Sequence, residues 1–135
     1  MNVRSAVYWT TTILTALAFL SGGAAYLLRV DEAVGGVAEL GYPPYFVTIL
    51  GIWKVLGGLA ILLPRLPRLK EWAYAGIAFD LTGAAFSHAA MGHPVGKAIV
   101  PLVILGIAAA SWALRPESRR LGSARATARA SPPGR

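Results

Sequence analysis

Two charged side chains stand in the middle of otherwise uncharged apolar runs: Lys54 within Tyr45–Leu63 and Asp80 within Ala73–Met91. Ser87 and His88 follow Asp80 about two helical turns further on. An ammonium and a carboxylate at matched depth can lock two helices together. The same groups, joined by a hydroxyl and an imidazole, can instead line a polar pocket for a proton, a quinone headgroup or a small solute. Ionisable groups in such runs are candidates for function by default. A matched pair is also the cheapest way to carry either charge, so both uses stay open. None of Lys54, Asp80, Ser87 and His88 is expected to be catalytic. With two histidines and no cysteine, no metal site is expected, and thiolate, disulfide and dithiol chemistry is excluded.

The elements that must position these residues follow from composition. The chain has 135 residues, 56% of them hydrophobic and only 14% charged, with a mean hydropathy of +0.56. A soluble domain carries about 25% charged residues and could not hide this much apolar surface at this size. The expected class is all-α, an integral membrane four-helix bundle. Residues 6–28, 45–63, 72–91 and 97–114 give the four helices, each near the roughly 20 residues that a span requires. For the first run a cleaved signal peptide competes, because Ser21–Ala25 supplies small residues after an apolar stretch. The run is longer than the usual apolar region of a signal peptide, about 7–15 residues, which favours a retained helix.

Between the first two spans, Asp31 is placed to cap a short helix with Val34, Val37 and Leu40 on one side. That piece is expected to lie on the membrane surface in the first extracytoplasmic loop, ending at Gly41 and the Pro43–Pro44 pair. Pro64–Trp72 reads as a polar turn, and Pro101 as a tolerated kink in the fourth helix. Residues 1–114 thus form the membrane domain. Residues 115–135, rich in Arg, Ser, Ala and Pro, are expected to be a disordered basic cytoplasmic tail that contacts lipid headgroups. No folded basic module for nucleic acid is present.

Ten of the thirteen basic residues fall on one side of this topology: Arg4, Arg65, Arg68, Lys70 and six arginines of the tail. The positive-inside rule then places both termini in the cytoplasm. Tyr8, Trp9, Trp72, Tyr74 and Trp112 mark the inner interface, and Tyr26, Tyr42 and Tyr45 the outer one.

Lys54 costs the second helix roughly 2.5–3.5 kcal/mol at its centre. The Leu, Ile, Val and Phe residues of that helix return about 3–7 kcal/mol, so it still inserts. Counting inward from Tyr45 and from Met91, Lys54 and Asp80 differ in depth by only about 3 Å. Gly51, Gly57 and Gly58 flank Lys54, while Ala73, Gly76, Gly83, Ala84 and Ser87 share the Asp80 side. Small residues mark packed membrane faces, so the two charges are expected to meet inside the bundle.

Three stretches carry a family resemblance: LGYPPYF (Leu40–Phe46), LGIWKVLGGLAILLP (Leu50–Pro64) and RLKEWAYAGIAFDLTGAAFSHAAMG (Arg68–Gly92). In them the chain resembles the DoxX-like family of small four-helix bacterial membrane proteins. The resemblance implies a multi-pass protein of the bacterial inner membrane. One member is a membrane subunit of a thiosulfate:quinone oxidoreductase, and a wider relative belongs to an oxidoreductase assembly linked to oxidative stress. It therefore implies an accessory or structural subunit with a membrane or redox protein partner, not an enzyme on its own. A quinone-interacting oxidoreductase component and a small-solute or proton carrier are the alternatives. Beyond a quinone no cofactor is expected, and self-association into a homo-oligomer is left open. No catalytic residue carries over.

Overall fold

The structure is a computed structural model and describes residues 2–120 and 122. Among these residues it is all-helical and without strands: α1 (Val3–Leu27), α2 (Asp31–Glu39), α3 (Pro44–Leu62), α4 (Pro67–Ala90) and α5 (Val95–Ala113), then a 3₁₀ turn, Glu117–Arg119. Three helices are long and apolar enough to cross a membrane: α1, α3 and α5. At 24 residues α4 is long enough as well, but Arg68, Lys70, Glu71 and Asp80 lower its apolar character.

Local chemistry explains the boundaries. Asn2 caps α1 by accepting from the Ser5 amide at 2.8 Å. Pro44 opens α3 and Pro67 opens α4, where a missing N–H costs little. The polar stretch expected as a turn up to Trp72 is mostly helix. The turn is confined to 63–66, and Arg65 and Leu66 adopt positive φ of 59° and 53° to reverse the chain there. Asp31 does not cap α2. Val30 takes that position, and Asp31 and Glu32 sit in the first turn, where their charge suits the helix dipole.

The tightest packing is between α1 and α3, which cross antiparallel on glycine. A Cβ on Gly23 would stand 2.8 Å from Val55 Cγ2 and 2.9 Å from the Gly51 carbonyl. One on Gly58 would meet Leu20 Cγ at 2.9 Å. Gly51 and Gly58 therefore serve the α1 contact and not the α4 contact expected of them. Gly76 and Gly83 of α4 have nothing within 4 Å of a would-be Cβ, so they border open space. Overpacking a fitted contact costs about 1–3 kcal/mol. Gly23→Leu should lower the thermal midpoint in detergent, whereas Gly35→Leu, in open space on α2, should leave it unchanged.

The core joins α1, α3, α4 and α5 through Ala16, Phe19, Ile61, Tyr74, Ile77, Leu81 and Ala108. Two tyrosines expected at an interface are inside instead: Tyr8 is 1% exposed and Tyr74 6%. Their hydroxyls explain the shift. Tyr74 Oη and Thr12 Oγ1 each lie 2.6 Å from Ser111 Oγ, a buried hydroxyl cluster that ties α1, α4 and α5 together.

The first residues of the supposed tail are also placed. Arg115 and Arg119 are buried, and the 3₁₀ turn folds back onto the helices. The expectation of disorder is corrected for 115–120, because these arginines find buried acceptors. Residue 121 and residues 123–135 lie outside the described residues.

Candidate functional site

Lys54 lies ten residues into α3 and Asp80 ten residues before the end of α4. Because α3 and α4 are antiparallel neighbours, both charges stand about 15 Å from the same end of their helices. Lys54 Nζ donates to Asp80 Oδ2 at 2.7 Å. The ammonium also sits 4.3 Å from the centre of the Phe19 ring on α1, so a cation–π contact joins a third helix to the pair. Both side chains keep a small exposed fraction, 14% for Lys54 and 16% for Asp80.

That exposure opens into a cavity of about 490 Å³, roofed by α2 and bordered by Lys54, Asp80, Ser87, His88, Tyr26 and Tyr42. The structure thus brings all four sequence-selected residues to one wall. Each has a partner. Tyr42 Oη lies 2.8 Å from Ser87 Oγ, and His88 Nδ1 lies 2.9 Å from His93 Nδ1 in the turn after α4. Tyr42 and His93 were not selected from sequence. Tyr42 stacks on Phe46 at 4.5 Å, and its sequence signal was that of an outer-interface aromatic, which does not point to the cavity.

A second polar cluster lies at the opposite end of the helices. Lys70, wholly buried, donates through Nζ to the carbonyls of Ala60 (2.7 Å) and Leu63. Arg119 Nη1 donates to the Ile61 carbonyl and to Tyr8 Oη, each at 3.2 Å. The last carbonyls of α3 have no partner within the helix, and these two cations satisfy them and complement the dipole. Arg115 Nη2 pairs with Glu71 Oε1 at 2.6 Å, and Trp112 Nε1 donates to the other carboxylate oxygen at 3.1 Å. Burial alone would raise the Glu71 pKa, but the hydrogen bonds from Trp112 and Arg115 outweigh it and the net shift is downward.

Lys70 stands in the first turn of α4, ahead of the apolar stretch. Burial, and then the nearby Arg119 and Arg115, push its pKa down to about 8. Between pH 8 and its ordinary value of 10.5 the unfolded chain holds a proton there that the native state has released. Stability should therefore rise with pH across that window, with the cost of the buried charge fully present below it. Thermal melts from pH 7.5 to about 10.5 check this, and Lys70→Arg, which stays charged, should flatten the rise.

Apolar helices of spanning length, with polar groups gathered inside their packing, define a helical membrane protein. The DoxX-like family model matches residues 10–111, more than half of the chain, and the protein belongs to that family. No curated protein and no solved structure matches it.

Proposed function

We propose that the protein is a multi-pass component of the bacterial inner membrane with four spans, α1, α3, α4 from Trp72 onward and α5, and both termini cytoplasmic. In this reading it is an accessory subunit, and the Lys54–Asp80 pair holds α3 to α4 near mid-membrane. The observation that carries it is the 2.7 Å contact between the two charges. A depth of about 15 Å is half of a hydrocarbon core of roughly 30 Å. There each charge neutralises the cost of the other, and α4 can span despite its polar residues. Basic residues at the α3–α4 turn and in the segment after α5 support the orientation. Groups already satisfied inside the chain suit a structural part better than a reactive one.

The absence of cysteine makes topology easy to test. A membrane-impermeant thiol reagent should label exposed Ala38→Cys in intact spheroplasts, and exposed Ser118→Cys only after lysis. Equal labelling of both in intact cells would overturn the topology. Mild-detergent purification should recover a membrane protein partner in fixed ratio. Isolation of the chain alone under such conditions, with quinone reduction or solute flux by itself, would overturn the accessory role.

A further inference from the structure

The Lys54–Asp80 pair is the shared wall of two cavities. One is the polar cavity under α2, about 490 Å³. The other is a groove of about 470 Å³ between α3 and α4, and both touch Leu50, Lys54, Phe79 and Asp80. The groove runs toward Leu69 and Trp72 at the opposite end of the helices. Its floor is small, with Gly57, Ala60, Ala73 and Gly76, and exposed Trp53 and Trp72 border it. The cavity can hydrogen-bond, and the groove is apolar away from the pair.

We infer that the cavity and groove form one binding site for a single-chain amphiphile with an uncharged, hydroxyl-bearing headgroup. The chain lies in the α3–α4 groove and the headgroup meets the polar wall. The wall selects for charge. Its three polar pairs are Lys54–Asp80 at 2.7 Å, Tyr42–Ser87 at 2.8 Å and His88–His93 at 2.9 Å. None carries net charge with the imidazoles neutral. An anionic headgroup must displace Asp80 from Lys54, and Glu32 on the same cavity also repels it. A cationic one is drawn to Glu32 but meets the Lys54 ammonium at the wall. To pair there it must displace Lys54 from Asp80, and either exchange strands a charge.

A hydroxyl needs no exchange. An ammonium has three N–H groups and a carboxylate about four acceptor sites, so a pair joined by one hydrogen bond retains both donors and acceptors. A headgroup that both donates and accepts uses them fully. Binding there is a second use of the pair, beyond holding α3 to α4. It rests on both helices lying in the bilayer, which the thiol labelling tests separately.

The test uses the full-length protein in phosphatidylcholine nanodiscs. Trp53 and Trp72 border the groove, so a dibrominated oleoyl chain lying in it quenches their fluorescence. Three probes share that chain: the monoacylglycerol, the free fatty acid and the choline ester. The monoacylglycerol should quench saturably, with a half-saturating mole fraction at least about tenfold below the other two. Unbrominated monoacylglycerol should reverse the quenching. Gly76→Phe, which fills open space, should remove the saturable part while the thermal midpoint holds. If that variant does not fold, the competition on the native protein decides alone. Quenching linear in mole fraction for all three probes means bulk lipid only and overturns the site. Preference for a charged probe overturns the headgroup assignment. Equal competition by a ubiquinone analogue, whose headgroup only accepts, overturns the need for a donor. A change in oligomeric state with Gly76→Phe, without loss of binding, assigns the groove to a second copy and overturns it.

Discussion

Lys54→Met should destabilise the protein more than the double variant Lys54→Met/Asp80→Leu. Asp80 is 16% exposed and receives its one described hydrogen bond from Lys54 at 2.7 Å. Removing the ammonium leaves a largely buried carboxylate without its hydrogen-bond donor, where ionisation is costly and protonation forfeits the bond. Breaking a buried pair from one side costs roughly 3–5 kcal/mol, whereas replacing both partners by apolar groups of similar size is often neutral. The double variant should therefore recover most of the loss. Thermal unfolding of the four proteins in one detergent measures the coupling. Losses that simply add in the double variant would show that the pair holds nothing.

The same pair shows why this much was readable in advance. A charge inside an apolar run is conspicuous, and helical rise fixes its depth without tertiary information. Antiparallel neighbours separated by a short turn then bring two such charges level. Ser87 and His88 reach the same cavity because they follow Asp80 by two turns on one helix. The long apolar runs also gave the all-helical architecture, since period and length carry that signal. The family was legible only in the motifs between Leu40 and Gly92.

Partner choice was readable for the charges but not for the glycines. Glycines around Lys54 suggested a close α3–α4 contact, but a glycine only permits approach and does not say which helix approaches. Gly51 and Gly58 meet α1, and Gly57 alone of the three faces α4, with Ile77 Cγ1 3.9 Å from a would-be Cβ. Gly76 and Gly83 border open space. Tyr8 and Tyr74 looked like interface anchors by position along their helices. Their hydroxyls instead found Arg119 and Ser111, contacts between segments more than thirty residues apart that no local pattern announces.

Residues 115–120, just after α5, are placed where composition did not point, for a similar reason. Arginine, serine and proline in bulk describe a solvated tail. Composition does not reveal that the carbonyls of Ile61 and Leu62 are waiting for a cation. Helix ends leave such carbonyls unpaired by construction. A basic residue shortly after a bundle's last helix is one place to look for their partner.

Arg119→Ala should accordingly weaken the whole packing, although the residue follows the last long helix. Its guanidinium donates to Ile61 O and Tyr8 Oη at 3.2 Å each, and lies 4.9 Å from the centre of the Trp9 ring. One side chain thus ties the start of α1 to the end of α3 and to the 3₁₀ turn. A hydrogen bond to a charged group is worth about 1.5–3 kcal/mol, and the buried Tyr8 hydroxyl would lose its described partner as well. The expected loss is of that order, read as a lowered thermal midpoint. Glu117→Ala, on the exposed side of the same turn, should change it little. Tyr8→Phe combined with Arg119→Ala should cost less than the sum of the two single changes, because both remove one contact. Strict additivity would mean that the turn rests on the helices without being held by them.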